Sequence, residues 1–300
     1  MATVRQLLDV GVARLREAGS ESARLDAELL LAFALDTDRT GVIAHTDAPV
    51  GEGAAARFEA GLDRRATGEP VAYIRGVKEF HGLAFGVDPR ALIPRPETEK
   101  LVELGELEIV RRLVGAPRPP GSPPIRVVDV GVGSGAVAVT LAVLLRRRKM
   151  ADEVEITATD TSEDALELAR ENAVAHAVGD RITFENADLL PGDAVGHWDV
   201  VLANLPYVRS DAMPSLPKAA SFEPVLALDG GPDGLRVIDR LLGLLPEAIA
   251  QRGAALLEIG GDQAAEMRAL AVERLPGWSC DVELDLGGLP RIAVIRRAAA

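Results

Sequence analysis

Three hundred residues, 48% of them apolar, supply enough core for one large domain or two modest ones. A formal net charge of −13 argues against a protein that wraps bare nucleic-acid backbone, because that affinity comes mainly from Lys and Arg neutralising phosphates. The longest apolar runs, such as Leu29 to Leu35, fall far short of the roughly 20 residues of a bilayer span, so no membrane helix is expected.

In chain order, Leu7, Leu8, Val12 and Leu15 recur at helical spacing between Val4 and Ala18. Arg5, Gln6 and Asp9 interrupt the apolar pattern there, unlike a signal peptide. A second helix is predicted from about Ser22, with Leu25, Leu29, Leu30 and Phe33 as its stripe and Thr37 to Arg39 as its end. A third helical stretch covers Gly51 to Thr67. Residues 1–70 thus read as a small helical domain with a docking role. From Val71 to Ile93, apolar residues interleaved with Gly76, Gly82 and Gly86 suggest strands and turns, so 71–95 reads as a β-hairpin linker. Residues 96–300 form the remaining domain. Its first helix follows the prolines Pro94 and Pro96, and Glu97 or Thr98 suits the first turn.

A strand, Ile125 to Val130, then a glycine turn, Gly131-Val132-Gly133-Ser134-Gly135, then an apolar helix open a nucleotide-binding α/β unit. The spacing lacks the last glycine of a dinucleotide fingerprint, so the ligand fits better as the amino-acid end of S-adenosylmethionine. Arg146 to Lys149 close that helix and complement its dipole. A second strand ends in Asp160, an acceptor for both ribose hydroxyls, and a third ends near Asp188, a partner for an adenine amino group, with Leu189 beside it. The strand Asp199 to Ala203 delivers Asn204. Asp233 caps a helix over Gly234 to Ala250, a strand follows at Ala254 to Ile259, then a helix over Gln263 to Leu275. Pairing of Cys280 to Leu286 with Arg291 to Arg297 ends the chain. This alternation means an α/β fold with a mainly parallel sheet and one antiparallel strand from the final hairpin. Ligands then sit at the strand carboxyl ends, where the glycine turn, Asp160, Asp188 and Asn204 converge.

Asn204-Leu205-Pro206-Tyr207 is the chemical tip of that domain. The Asn204 amide oxygen and the Leu205 carbonyl can take both N–H bonds of a planar NH2 group, while Tyr207 stacks on its plane. The nitrogen lone pair is then left aimed at an electrophile about 3–3.5 Å away. Four scattered histidines show no ligand spacing, so no metal is expected. Cys280, the lone cysteine, excludes an intramolecular disulfide and fits a cytoplasmic setting.

Several longer stretches together resemble the release-factor glutamine N5-methyltransferases of the HemK/PrmC type. They are Gly68-Glu69-Pro70-x-x-Tyr73-Ile74, Phe80-x-Gly82-Leu83-x-Phe85, and Leu92-Ile93-Pro94-Arg95-Pro96-Glu97-Thr98-Glu99. The likeness continues through Asp129-x-Gly131-x-Gly133-Ser134-Gly135 and Asn204-x-Pro206-Tyr207 into Phe222-Glu223-Pro224-x-x-Ala227-Leu228-Asp229-Gly230-Gly231-x-Asp233-Gly234. It implies a seven-stranded class I methyltransferase sheet of Rossmann-like type. The implied reaction moves a methyl group from S-adenosylmethionine to the Gly-Gly-Gln glutamine amide of class I peptide chain release factors. Asn204, Pro206 and Tyr207 would be catalytic, and these with Leu205 would bind substrate. The cofactor would lie against Asp129, Gly131, Val132, Gly133, Ser134, Gly135, Asp160, Asp188, Leu189 and Asn204. Val132 stands where Thr is common, and Leu205 replaces the first proline of Asn-Pro-Pro-Tyr. Asn-Leu-Pro-Tyr also suits methylation of an adenine amine in RNA or DNA, and a cofactor-binding regulator without catalysis is a third reading. Nothing in the sequence calls for more than a monomer.

Overall fold

Thr3 and Gln6 exchange side-chain and backbone hydrogen bonds, a reciprocal cap that starts helix α1 (Val4–Glu17). The computed structural model describes residues 1–115, 119, 121–192 and 196–297, and it divides into two compact units. The first comprises residues 1–77 with 216–222; the second comprises 78–215 with 223–300.

In the first unit, α2 (Ala23–Ala34), α3 (Arg39–Ala44), α4 (Glu52–Ala66) and α5 (Val71–Arg75) follow α1. Leu8, Leu15, Leu30, Phe58 and Leu62 fill its core. The buried face of α2 is not the expected one. Leu25 and Phe33 are exposed, and Ala23, Ala27, Leu30, Leu31 and Ala34 point inward instead. Small side chains let α2 approach its neighbours closely, and Asp26 and Glu28 are buried beside them because cations meet both. Arg65 reaches Asp26 at 2.8 Å, and Arg39 reaches Glu28 at 2.7 Å. Residues 71–75 are helical rather than extended: Pro70 precedes the turn, and Gly76, at φ +69°, ends it in the left-handed region. The short helix α3 was not signalled by periodicity.

In chain order, β1 (Val77–Phe80) and β2 (Leu83–Gly86) form a two-stranded sheet. A 3-10 turn, Pro96–Thr98, leads into α6 (Glu99–Val114). Then come β3 (Ile125–Val130), α7 (Ala136–Arg147), β4 (Val154–Asp160), α8 (Glu163–Ala175), β5 (Ile182–Asn186) and β6 (Trp198–Ala203). Two short strands, β7 (Val208–Arg209) and β8 (Asp229–Gly231), pair in parallel. The chain closes with α9 (Arg236–Ala248), β9 (Ile249–Glu258), α10 (Ala264–Arg274), β10 (Trp278–Leu284) and β11 (Pro290–Arg297). Asp233 accepts from the Leu235 amide at 2.9 Å, one step ahead of α9, so it shapes the approach to the helix rather than capping its first turn. Arg146 donates to the Ala177 carbonyl and Arg148 to Glu106, so those cations at the end of α7 serve packing.

The seven-stranded sheet has the order β10-β11-β9-β6-β3-β4-β5. Neighbours from β9 to β5 run parallel, and β11 lies antiparallel to both β9 and β10. On one face α6, α7 and α8 bury Val127, Val200, Leu202, Ala254 and Leu256; on the other α9 and α10 bury Val128, Val201, Ala203, Ala255 and Leu257. Side chains alternate along a strand, so Asp129, Asn204 and Glu258 all continue the first face. Ala203 pairs with Leu257, which sets Asn204 and Glu258 level at the carboxyl ends of adjacent strands.

Candidate active site

At the end of β6, the Asn204 Nδ2 donates to Thr98 Oγ1 at 3.0 Å. That bond turns the amide so that Oδ1, which has no donor among the described residues, is left for a ligand. Thr98 is 4% exposed and stands at the start of α6, where it makes no cap bond; its hydroxyl serves Asn204 instead. Leu205 is buried, and its side chain lies 3.1 Å from where a Cβ on Gly131 would stand. Glycine at 131 therefore makes room for the tip as well as for the turn.

The backbone beyond Asn204 is clamped. Val208 pairs with Asp229, and Gln263 Nε2 donates to the Tyr207 carbonyl at 3.0 Å. Side chains on Gly230 and Gly234 would collide with the Pro206 and Tyr207 carbonyl oxygens. The Asp229-Gly230-Gly231 and Asp233-Gly234 pattern thus makes a bare backbone floor under Pro206 and Tyr207. The Tyr207 hydroxyl donates to Glu258 Oε1 at 3.3 Å, and burial, with that carboxylate, pushes its pKa up to about 12.

Around the glycine turn, Gly131, Gly133 and Gly135 have φ of +73°, +52° and +85°, values that disfavour side chains. Apart from its chain neighbours, no described residue has a heavy atom within 4 Å of a Cβ placed on Gly133, so a ligand can come close to that backbone. Asp160 accepts from Gly133 N at 3.0 Å and from Ser162 N at 2.9 Å, which locks the carboxylate while leaving further lone pairs. Asp129 accepts from Ala138 N at 3.0 Å; burial, with the charge of Asp160, pushes its pKa up to about 7. Leu189 is held at φ +72°, and Thr159 Oγ1 donates to its carbonyl at 2.6 Å. Asp188 is exposed and paired with Arg240 at 2.6 Å.

These groups line one cavity of about 560 Å³, within the range of roughly 300–1,000 Å³ usual for small-molecule sites. Asp129, the turn from Gly131 to Ser134, Asp160, Asp188, Leu189 and Asn204 to Pro206 all face it. Gly135 and Tyr207 do not. A Cβ on Gly135 would press on Ala169 and Val139, so that glycine serves helix packing. The Tyr207 ring packs toward the α9 and α10 face. The donor set fits a nucleoside with an amino-acid tail: acidic acceptors at the ends of β4 and β5, and open backbone at Gly133.

Three further residues, outside the set the sequence points to, shape the site. Thr98 orients Asn204. Glu223, 5% exposed, accepts from Ile93 N at 3.0 Å and from Arg95 at 2.5 Å, tying two wall segments of the cavity together. Glu258 is fully buried, the one charged residue in an otherwise apolar run from Ala254 to Ile259. That interruption was its available signal. Among the described residues, no group of three or more His, Cys, Asp or Glu side chains is placed to hold a metal, and no helix is long and apolar enough to cross a membrane.

A seven-stranded sheet with one reversed strand, and a cavity at the carboxyl ends of its parallel strands, define a class I methyltransferase domain. The catalytic domain of hMettl16, solved with the MAT2A 3'UTR hairpin 6, shares this fold at TM-score 0.53 and 14% identity, over 83% of this chain and 82% of that one. Residues 6–76 match the PrmC N-terminal domain, and residues 121–216 the methyltransferase small domain. The release factor glutamine methyltransferase of Moorella thermoacetica is 38% identical over 90% of this chain and 89% of its own length. That of Bradyrhizobium diazoefficiens is 38% identical over 95% and 92%. The chain belongs to the release factor glutamine methyltransferase family.

Proposed function

We infer that this chain methylates the glutamine side-chain amide of the Gly-Gly-Gln loop in class I peptide chain release factors, drawing on S-adenosylmethionine. Such a substrate would be met in the cytoplasm. The observation that carries the reading is the Thr98 bond to Asn204, a cavity-lining residue, which occupies Nδ2 and leaves Oδ1 as an acceptor for an N–H bond.

When bound, S-adenosylmethionine supplies an electrophilic methyl on a positively charged sulfur. Asp160 and Asp188 would take its ribose and adenine, and the backbone from Gly131 to Ser134 its amino-acid end. A glutamine amide is a poor nucleophile because its lone pair is delocalised into the carbonyl. Asn204 Oδ1 and the Leu205 carbonyl would each accept one of its N–H bonds, fixing the plane and favouring a more tetrahedral nitrogen. Leucine at 205 supplies that carbonyl as well as proline would. Methylation would make the nitrogen acidic, and Asn204 Oδ1 or water would take its proton. The Tyr207 ring packs beside the tip rather than in the cavity, so we assign it the support of the Leu205–Pro206 backbone instead of the face of the substrate amide.

The test is the intact mass of a purified class I release factor after incubation with this protein and S-adenosylmethionine. One added methyl on the wild-type factor, and none when the loop glutamine is replaced by alanine, is the expected result. No transfer to either, with cofactor binding measured in the same sample, would overturn the substrate and turn attention to labelled RNA.

A further inference from the structure

Glu258 is the group behind the tip that the reaction above leaves unused. It is 0% exposed, ends β9 beside Asn204, and its Oε2 has no hydrogen-bond partner among the described residues. The Tyr207 hydroxyl donates to Oε1 at 3.3 Å, and the Thr98 hydroxyl, which holds Asn204 Nδ2, stands close enough to the carboxyl to lower its pKa. A hydroxyl has one proton and two lone pairs. If an acceptor takes the Thr98 proton, a lone pair must face Asn204, and the amide must present its NH2 inward and Oδ1 outward. If a donor faces Thr98 instead, the hydroxyl can give its proton to Asn204, and the amide can turn over. Then Nδ2 would meet the N–H of the substrate, a donor against a donor.

We propose that Glu258 is a positioning residue whose carboxylate, by taking the Thr98 proton, sets the direction of the Asn204 amide and steadies the Tyr207 hydroxyl. The proposal rests on Asn204 Oδ1 being the acceptor for the substrate amide. Among the described residues no other hydrogen-bond partner of the Asn204 side chain specifies that direction: Thr98 alone can donate or accept, whereas an ionised carboxylate can only accept. The charged and titratable groups facing Glu258 are Arg291 on β11, Glu97 before α6, and Tyr207. Burial pushes the carboxyl up to about 7; Thr98, Arg291 and the Tyr207 hydroxyl oppose that shift, and Glu97 adds to it. The direction of the chain from Asn204 through Thr98 is therefore set by a proton that comes off near neutral pH.

The sequence contains three asparagines, Asn172, Asn186 and Asn204, so asparagine-selective 15N labelling gives three side-chain amide pairs. Asn204→Asp assigns one by its disappearance. The wild-type Asn204 pair should shift as pH is raised from 6 to 8 (about one unit either side of the Glu258 transition). In E258Q and in T98V it should not shift, while T98S restores the response. In parallel, E258Q should lower kcat for release-factor methylation at least about tenfold, the scale of one charge-assisted hydrogen bond, without changing KM for S-adenosylmethionine. T98V should match it, and the double variant should be no worse than either alone. An Asn204 pair that behaves identically in wild type and E258Q at every pH overturns the proposal, whatever the substrate. An altered Asn204 pair in a wild-type protein that methylates no release factor supports the proposal and overturns only the substrate reading.

Discussion

Arg95 meets the buried carboxylate of Glu223 at 2.5 Å across 128 positions of chain, and the same carboxylate takes the Ile93 amide at 3.0 Å. Glu223→Ala would strand both donors, one of them a buried backbone N–H. The expected loss is about 2 kcal/mol of unfolding free energy in urea, with weaker S-adenosylmethionine binding, because Ile93 and Arg95 line the cavity. Glu223→Gln retains an acceptor for Ile93 and should lose less. A change within about 0.5 kcal/mol in the alanine variant would show that the clip is dispensable.

Asn204→Ala removes the acceptor without disturbing Asp160 or the glycine turn. Methyl transfer should fall by roughly 100-fold or more, as when an oriented polar group is removed from a transition state. Calorimetric binding of S-adenosylmethionine should stay near wild type. An equal loss of cofactor affinity would contradict that division of roles.

Tyr207→Phe keeps the ring but withdraws one donor from Glu258. That donor holds the carboxyl down, so its loss should move any Glu258-dependent limb of the rate profile to higher pH. Much of the activity should survive above that limb, whereas Tyr207→Ala should lose it throughout. A phenylalanine variant with an unmoved limb would disconnect the hydroxyl from the profile.

Gly234→Ala places a methyl against the Tyr207 carbonyl and Gln263 Nε2 at a backbone φ of +76°. Strain and overpacking of this kind cost about 1–3 kcal/mol. The displaced backbone carries Pro206 and Tyr207, so kcat should fall beyond what the lower melting temperature accounts for. Wild-type turnover in the folded variant would show that the floor under the tip tolerates movement.

Asp129 and Glu258, with ordinary carboxylate pKa values when unfolded, are both pushed up to about 7 by burial. The folded state therefore binds more protons than the unfolded one between about pH 4 and 7, so their contribution to stability is present at the acid end and lost as pH rises. His197, held low by burial and Arg126, slopes the opposite way. The wild-type melting temperature minus that of Asp129→Asn should consequently decline from pH 5 to 7.5. A difference that rises across that range would reverse the assignment for Asp129.

The strands, the glycine turn and the acidic residues at strand ends were legible because each is written in a short local run. Gly131 to Ser134 and Asn204 to Pro206 line the same cavity. Sequence shows Thr98 only as a first-turn residue, since its bond to Asn204 spans 106 positions and depends on how α6 lies over the sheet. Glu258 was hidden inside a strand, where register between β6 and β9 alone brings it level with Asn204. The face of α2 differs from its hydrophobic stripe because Leu and Phe outrank Ala in hydrophobicity, while close helix approach and the pairing of Asp26 and Glu28 favour the smaller residues. Gly135 and Gly133 look alike in sequence, yet one serves a helix contact and the other an open approach.

Residues 216–222 belong to the first unit, although 138 residues of the second separate them from its other part, 1–77. A ribosome making this chain from its N-terminus cannot finish the first unit until Phe222 has emerged. The helical unit is thus written early but completed late, and a single cut after residue 77 yields no intact copy of it. Any fragment meant to represent it must carry both pieces.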